Sequence, residues 1–221
     1  MSKKNQLLAI MSLEIGMEED VQDGKLFRER ERVIYAKLSD LSELNNAVSV
    51  DSQEQWQIKL PKTDKNAAKG TMRVRKIIPL TKTDKGFELT DTNEDSVQYV
   101  ITVKAERKAD DRAEVPLPAS KDMFDLFKLL AENGMCKHRF HFPINGTELV
   151  FEVDVYLKED GTYYEWVKID LEFKDVPVDI PELPLKTSEL IYDTTQDPEQ
   201  KKKISELYET IFLKKNPTLD K

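Results

Sequence analysis

Charged residues recur two apart in one short segment of this chain after another, with apolar residues between them. Side chains alternate across a β-strand, so residues two apart share a face. Arg73 and Arg75 pair in this way in TMRVRKII, Thr102 and Lys104 in QYVITVKAER, and Lys137, Arg139 and His141 in KHRFHFPI. Glu152 and Asp154 share a face in ELVFEVDVYL, and Lys168, Asp170 and Glu172 share one in YYEWVKIDLEF. Glu29 and Glu31 do so in RERERVIYAKL. An antiparallel sheet with one wet face also alternates. Here, however, the pairs are sorted by sign, some segments basic and others acidic, and Thr, Ser and Gln are rare fillers at these positions. Rows of cations beside rows of carboxylates are what a polyphosphate with a divalent metal needs. Arginine grips phosphate oxygens bidentately, and carboxylates hold hard cations.

The segments themselves read as an α+β chain, mainly antiparallel β. Strands are expected over 28–38, 55–60, 71–78, 98–107, 112–117, 137–144, 148–157 and 163–173. The turns Asn145-Gly146 and Glu159-Asp160-Gly161 are short enough to make the last three strands an antiparallel meander. A short helix is expected over 39–47, with Ser39 or Asp40 near its cap. A longer one is expected over 120–134, with Ser120 as N-cap, Met123, Phe124, Phe127, Leu129 and Leu130 at helical spacing, and Gly134 as its stop. After a proline-punctuated extended stretch, Asp197 and Pro198 start a last helix with the stripe Ile204, Leu207, Tyr208, Ile211 and Phe212.

The chain has 221 residues, which fits one domain and suffices for a sizeable core. A net charge of −8 argues against a generic nucleic-acid binder, although 34 Lys and Arg remain available to build a local basic site. The single cysteine, Cys136, allows no internal disulfide and fits a reducing, cytoplasmic setting; it reads as a small packing residue. No window approaches the ~18 apolar residues of a membrane span, and no signal peptide is evident. His138 and His141 fall on opposite faces of one strand and do not suit a shared metal, and Trp56 and Trp166 read as packing residues.

In order along the chain, Glu29–Glu31, Arg73–Arg75, Thr102–Lys104, Arg112–Glu114, Lys137–Arg139, Glu152–Asp154 and Asp170–Glu172 resemble the motif series of the CYTH superfamily, the triphosphate tunnel metalloenzymes. The resemblance covers about residues 28–212 and extends to the closing WVKIDLEF and LIYDTTQDPEQKKKISEL. It implies an eight-stranded closed β-barrel whose interior is charged, occupying residues 25–215 between an unassigned N-terminal extension, 1–24, and a tail, 216–221. It implies that Arg73, Arg75, Lys104, Arg112, Lys137 and Arg139 bind substrate phosphates. Glu29, Glu31, Asp154, Asp170 and Glu172 would bind Mg²⁺ or Mn²⁺, with Glu114 and Glu152 in support. Lys104, Glu31 and Glu172 would carry catalysis. The pattern departs at Val33, which stands at a lysine position, and at Pro116, which stands at that of a second glutamate.

The activity this implies is metal-dependent hydrolysis of a triphosphate: inorganic tripolyphosphate, a nucleoside or thiamine triphosphate, or an RNA 5′ end. An adenylyl cyclase would share the same site, and a module that holds a polyphosphate, nucleotide or RNA end without turnover is the alternative from another class.

Overall fold

The structure is a computed structural model of the chain. It describes residues 28–60, 70–83, 86–89, 96–108, 111–131, 133–173, 179–193, 197–211 and 214–215. The expected extension 1–24, the tail 216–221 and Phe212 of the last stripe lie outside the described residues.

The described residues are mainly antiparallel β, with eleven strands in one sheet. In chain order they are β1 (Arg28–Leu38), β2 (Ser49–Leu60), β3 (Gly70–Thr83), β4 (Gly86–Leu89), β5 (Gln98–Lys108), β6 (Asp111–Pro118), β7 (Asn133–Pro143), β8 (Val150–Leu157), β9 (Tyr163–Phe173), β10 (Thr187–Tyr192) and β11 (Lys214–Lys215). Nine of them follow one path, β10-β1-β6-β5-β3-β2-β7-β8-β9. β1 pairs with β9 through Arg30–Lys37, with β6 at Arg28 and Glu29, and with β10 through Ile34–Leu38.

The expected meander β7-β8-β9 forms, and both of its turns place a glycine at positive φ, Gly146 at 77° and Gly161 at 81°. A 3-10 helix, Leu41–Asn46, begins where the Asp40 side chain accepts from the Ser42 amide at 2.8 Å. Helix α1 (Lys121–Leu130) is capped by Ser120, which accepts from the Met123 amide at 3.2 Å. At the start of helix α2 (Pro198–Ile211), Asp197 accepts from the Glu199 amide at 2.8 Å. No helix among the described residues is long and apolar enough to cross a membrane.

Gly134 does not stop α1, which ends four residues earlier. It lies inside β7, directly opposite Trp56 on β2. A Cβ at Gly134 would fall 2.5 Å from Trp56 Cε3 and 2.8 Å from the Gln55 carbonyl oxygen, so the glycine makes room for the indole. β2 begins six residues before the expected strand, at Ser49, which brings Gln53 into the sheet. β10 was not expected as a strand. Its only buried residue is Ile191, so it offers too little alternation to be read.

The two faces of the sheet differ. On one, Ile34, Val50, Phe140, Phe151, Val153, Val167 and Ile169 form a core closed by Leu44 and Ala47 of the 3-10 segment and by Leu185 of the proline-rich stretch. The same face of β2, β3 and β5 presents Trp56, Val74 and Ile101 to Phe124 and Ala131 of the α1 region. These contacts explain why the interleaved apolar residues are needed: they hold the strands in register while the charged residues face the other way.

Candidate functional site

Directly paired residues of antiparallel neighbours carry their side chains on the same face. The register therefore decides whether charged pairs from separate strands meet. One row runs Tyr35–Lys168–Asp154–Arg139–Asp51 across β1, β9, β8, β7 and β2. The next runs Val33–Asp170–Glu152–His141, and Glu31 pairs with Glu172 beside it. On the far side of β2, Gln55–Arg75–Val100 and Gln57–Arg73–Thr102 form rows across β2, β3 and β5, and Thr71 pairs with Lys104. The expected residues of β3, β5, β7, β8 and β9 thus share one face with Glu31 of β1. The backbones of Glu29 and Arg112 are paired, as are those of Lys104 and Glu114. The side chains of Glu29, Arg112 and Glu114 lie outside the described residues.

The β7–β9 part of this face is a buried ion network. Lys137 is 3%, Asp154 1% and Asp170 2% exposed. Charges so far from water persist only when paired. Asp154 accepts from Arg139 Nε on Oδ1 at 2.7 Å and from Arg139 Nη2 on Oδ2 at 3.0 Å, and Lys137 Nζ donates to the same Oδ2. Arg139 also donates to Glu152 through Nη1. Lys168 Nζ donates to Asp170 Oδ2 at 2.6 Å. Burial opposes ionisation of Asp154, but the Arg139 and Lys137 charges prevail and hold its carboxyl well below the usual carboxylate range. Burial and the neighbouring Arg139 push Lys137 down, against the pull of Asp154. Lys168 is held above the usual lysine range by Asp170, which outweighs its burial. Both Asp154 oxygens are thus taken by cations, so the residue expected as a metal ligand serves here as the shared counter-charge of Lys137 and Arg139.

The acidic edge of the face is Glu31, Glu152, Asp170 and Glu172. Glu172 is pushed up to about 7, first by its desolvation and then by the charge of Glu152, with Asp170 and Glu31 adding and Arg139 opposing. Asp170 is raised by burial, against Lys168. Its Oδ1 is buried with no hydrogen-bond partner among the described residues. Mutually repelling carboxylates with an unsatisfied oxygen fit a hard divalent cation, which takes oxygen ligands. Among the described residues no three His, Cys, Asp or Glu side chains are already gathered tightly enough to hold an ion.

The β3–β5 half is built differently. Arg73 and Arg75 face neutral register neighbours, Gln57 and Thr102 for the first, Gln55 and Val100 for the second. Arg75 Nη2 donates to Thr102 Oγ1 at 3.2 Å. Gln53 and Gln55 are buried, and the Oε1 of each has no hydrogen-bond partner among the described residues. This corrects the expectation that glutamine is rare on the face: Gln53, Gln55 and Gln57 follow one another two apart on β2.

The expected stripe of α2 makes contacts with the sheet that the sequence does not announce. Tyr208 of α2 hydrogen-bonds with Tyr35, and Ile204 packs with Val33, Tyr35 and Ile191. Ile211 packs with Met135 and Tyr156. The two histidines keep separate partners, His138 with Tyr163 OH at 2.8 Å and His141 with Ser49 Oγ at 2.9 Å. Trp56 is a packing residue under Lys128, whose Nζ lies 5.0 Å from the ring centroid.

No family model matches the sequence, and no curated protein matches it. Among solved structures, the chain is similar to the crystal structure of a putative adenylate cyclase from Bacillus halodurans. The identity is 11%, the match covers 84% of this chain and 90% of that one, and the TM-score is 0.35. A superposition that loose leaves the functional reading to the chain's own residues.

Proposed function

We propose that the charged face lines a tunnel that binds a triphosphate, and that the chain is a divalent-metal-dependent triphosphatase. The observation that carries the reading is the gathering of ionic residues from β1, β3, β5, β7, β8 and β9 onto one face, with Lys137, Asp154 and Asp170 buried. The pairing path supports a tunnel: it leads from β1 through β6, β5, β3, β2, β7, β8 and β9, and β9 pairs with β1 again. A sheet closed in that way would keep its charged face inward, where an anionic ligand can meet it.

In this reading Arg73, Arg75 and Lys104 receive the phosphates, since register pairing of β3 with β5 brings their positive charges to one face. Arg112, Lys137 and Arg139 extend that set. Asp154 and Glu152 hold Lys137 and Arg139 in place and limit their mutual repulsion until an anion arrives. Glu31, Asp170 and Glu172, with Glu29, would hold Mg²⁺ or Mn²⁺. When bound, such a cation neutralises phosphate oxygens and lowers the pKa of a bound water. Phosphoryl transfer depends mainly on positioning and electrostatic stabilisation, so Lys104 and the arginines contribute by placing the triphosphate and meeting its charge.

A second reading, binding without turnover, draws on Val33. It occupies a lysine position in the resembled motif and is covered by Ile191 and Ile204, so no amine is available there. Phosphate and pyrophosphate release decides between them. The substrates are tripolyphosphate, nucleoside triphosphates, thiamine triphosphate and a 5′-triphosphorylated RNA, with Mg²⁺, Mn²⁺ or EDTA. A triphosphatase releases phosphate in the metal arms only, and Lys104→Ala or Glu172→Gln abolishes it. Pyrophosphate with 3′,5′-cyclic AMP would mark a cyclase, and binding without release would mark the module.

A further inference from the structure

Lys168 belongs to neither the phosphate set nor the metal set, yet it stands between them. On β9 it pairs with Asp154 of β8 on one side and with Tyr35 of β1 on the other, and Asp170 follows it on the same face. Its side chain is 15% exposed, and its Nζ donates to Asp170 Oδ2 at 2.6 Å. The other oxygen of Asp170, Oδ1, is buried without a hydrogen-bond partner among the described residues. Asp154 is already committed, since both of its oxygens accept from Lys137 and Arg139. Lys168 therefore takes one oxygen of the buried carboxylate that has another to give.

Two metal ions that act on one phosphate chain lie about 3.5–4 Å apart, and a carboxylate that bridges them gives one oxygen to each. In this chain an ammonium has taken one of those oxygens on Asp170. We propose that Lys168 is a built-in substitute for a second divalent cation, so that the site takes a single Mg²⁺ or Mn²⁺. The inference rests on the metal reading of Glu31, Asp170 and Glu172 and sets the stoichiometry of that site. Lys168 is a positioning residue: it holds Asp170 by Oδ2 and leaves Oδ1 to the ion. Its fixed charge also repels a second divalent ion from the same carboxylate, and so little water reaches the pair that the repulsion is weakly screened.

The test counts Mn²⁺ bound by the full chain, read from the loss of the free ion's paramagnetic resonance signal during titration. The wild type is expected to saturate at about one ion per chain and Lys168→Met at about two, since the variant frees Asp170 Oδ2. Lys168→Arg keeps a cation there and should stay at about one. A lysine that only supported the fold would leave the count unchanged in every folded variant. If Lys168→Met fails to fold by circular dichroism, Lys168→Gln, which keeps a donor but no charge, carries the same expectation. About two ions in the wild type would overturn the inference without any variant and leave the metal site standing. Equal counts in the wild type and in a folded uncharged variant would do the same. No Mn²⁺ bound by any of these proteins would overturn the metal reading and the inference together.

Discussion

Asparagine at position 154 keeps the shape of the side chain and removes the negative charge that Lys137 and Arg139 share. Asp154 is 1% and Lys137 3% exposed, so water cannot replace the lost charge. Arg139 retains Glu152, whereas Lys137 loses its carboxylate partner. Breaking a buried pair by removing one partner costs about 3–5 kcal/mol. Because Arg139 stays partly compensated, about 3 kcal/mol is expected for Asp154→Asn. At about 2–4 °C per kcal/mol for a chain of this size, the melting temperature should fall by about 10 °C. Two further readouts tie the loss to charge. Lys137→Met combined with Asp154→Asn should recover much of the stability, because the buried amine left without its carboxylate partner is gone. Tripolyphosphate should raise the melting temperature of Asp154→Asn more than that of the wild type, because the anion restores the missing charge. The acid limb should change as well. The folded carboxyl is held low, so its stabilisation is present above its unfolded pKa of about 3.9 and is lost as pH falls below it; Asp154→Asn should lose that limb. Urea unfolding at neutral pH is the assay. A loss under about 1 kcal/mol, or strict additivity with Lys137→Met, would refute the reasoning.

Glu172 behaves in the opposite sense. Its folded pKa, raised to about 7, lies above an unfolded value of about 4.3, so its contribution is full below the latter and disappears as pH rises through the former. Glu172→Gln should flatten the stability decline between those two values, measured by thermal melts across pH without added metal; an unchanged profile would deny the carboxylate crowding. Gly134→Ala should destabilise by about 1–3 kcal/mol in urea unfolding, since its methyl group meets Trp56 and the Gln55 backbone rather than a flexible side-chain end. A neutral result there would mean that β2 and β7 are not in this register.

The strands were legible because their charged residues alternate with apolar ones that must be buried: RVRK, KHRFHF and VFEVDVY each announce both faces. Cross-strand neighbours were not legible. Nothing in the local sequence says that Asp154 meets Lys137 and Arg139, because register between strands is set by packing of the opposite face. Hence Asp154 was read with the metal ligands by motif alone. The length of β2 was not legible for a related reason: the pairing of Ser49–Gln57 with β7 extends the strand six residues before Gln55 and adds Gln53 to the row of Gln55 and Gln57. Gly134 illustrates a local rule overridden by tertiary contact. A glycine after a helical stripe reads as a stop, yet here it answers an indole on the neighbouring strand. Tyr208 lies on the predicted stripe of α2, but its contact with Tyr35 spans most of the chain and has no local signal.

The central claim is that the face carrying Arg73 and Arg75 is an anion site for a triphosphate. Calorimetric titration of tripolyphosphate into the wild type and into Arg73→Ala/Arg75→Ala, with folding of each checked by circular dichroism, tests it most directly. The account predicts saturable binding by the wild type and a loss of about 100-fold or more in the folded double variant. Equal affinity in the two proteins, or no binding by the wild type, would contradict it.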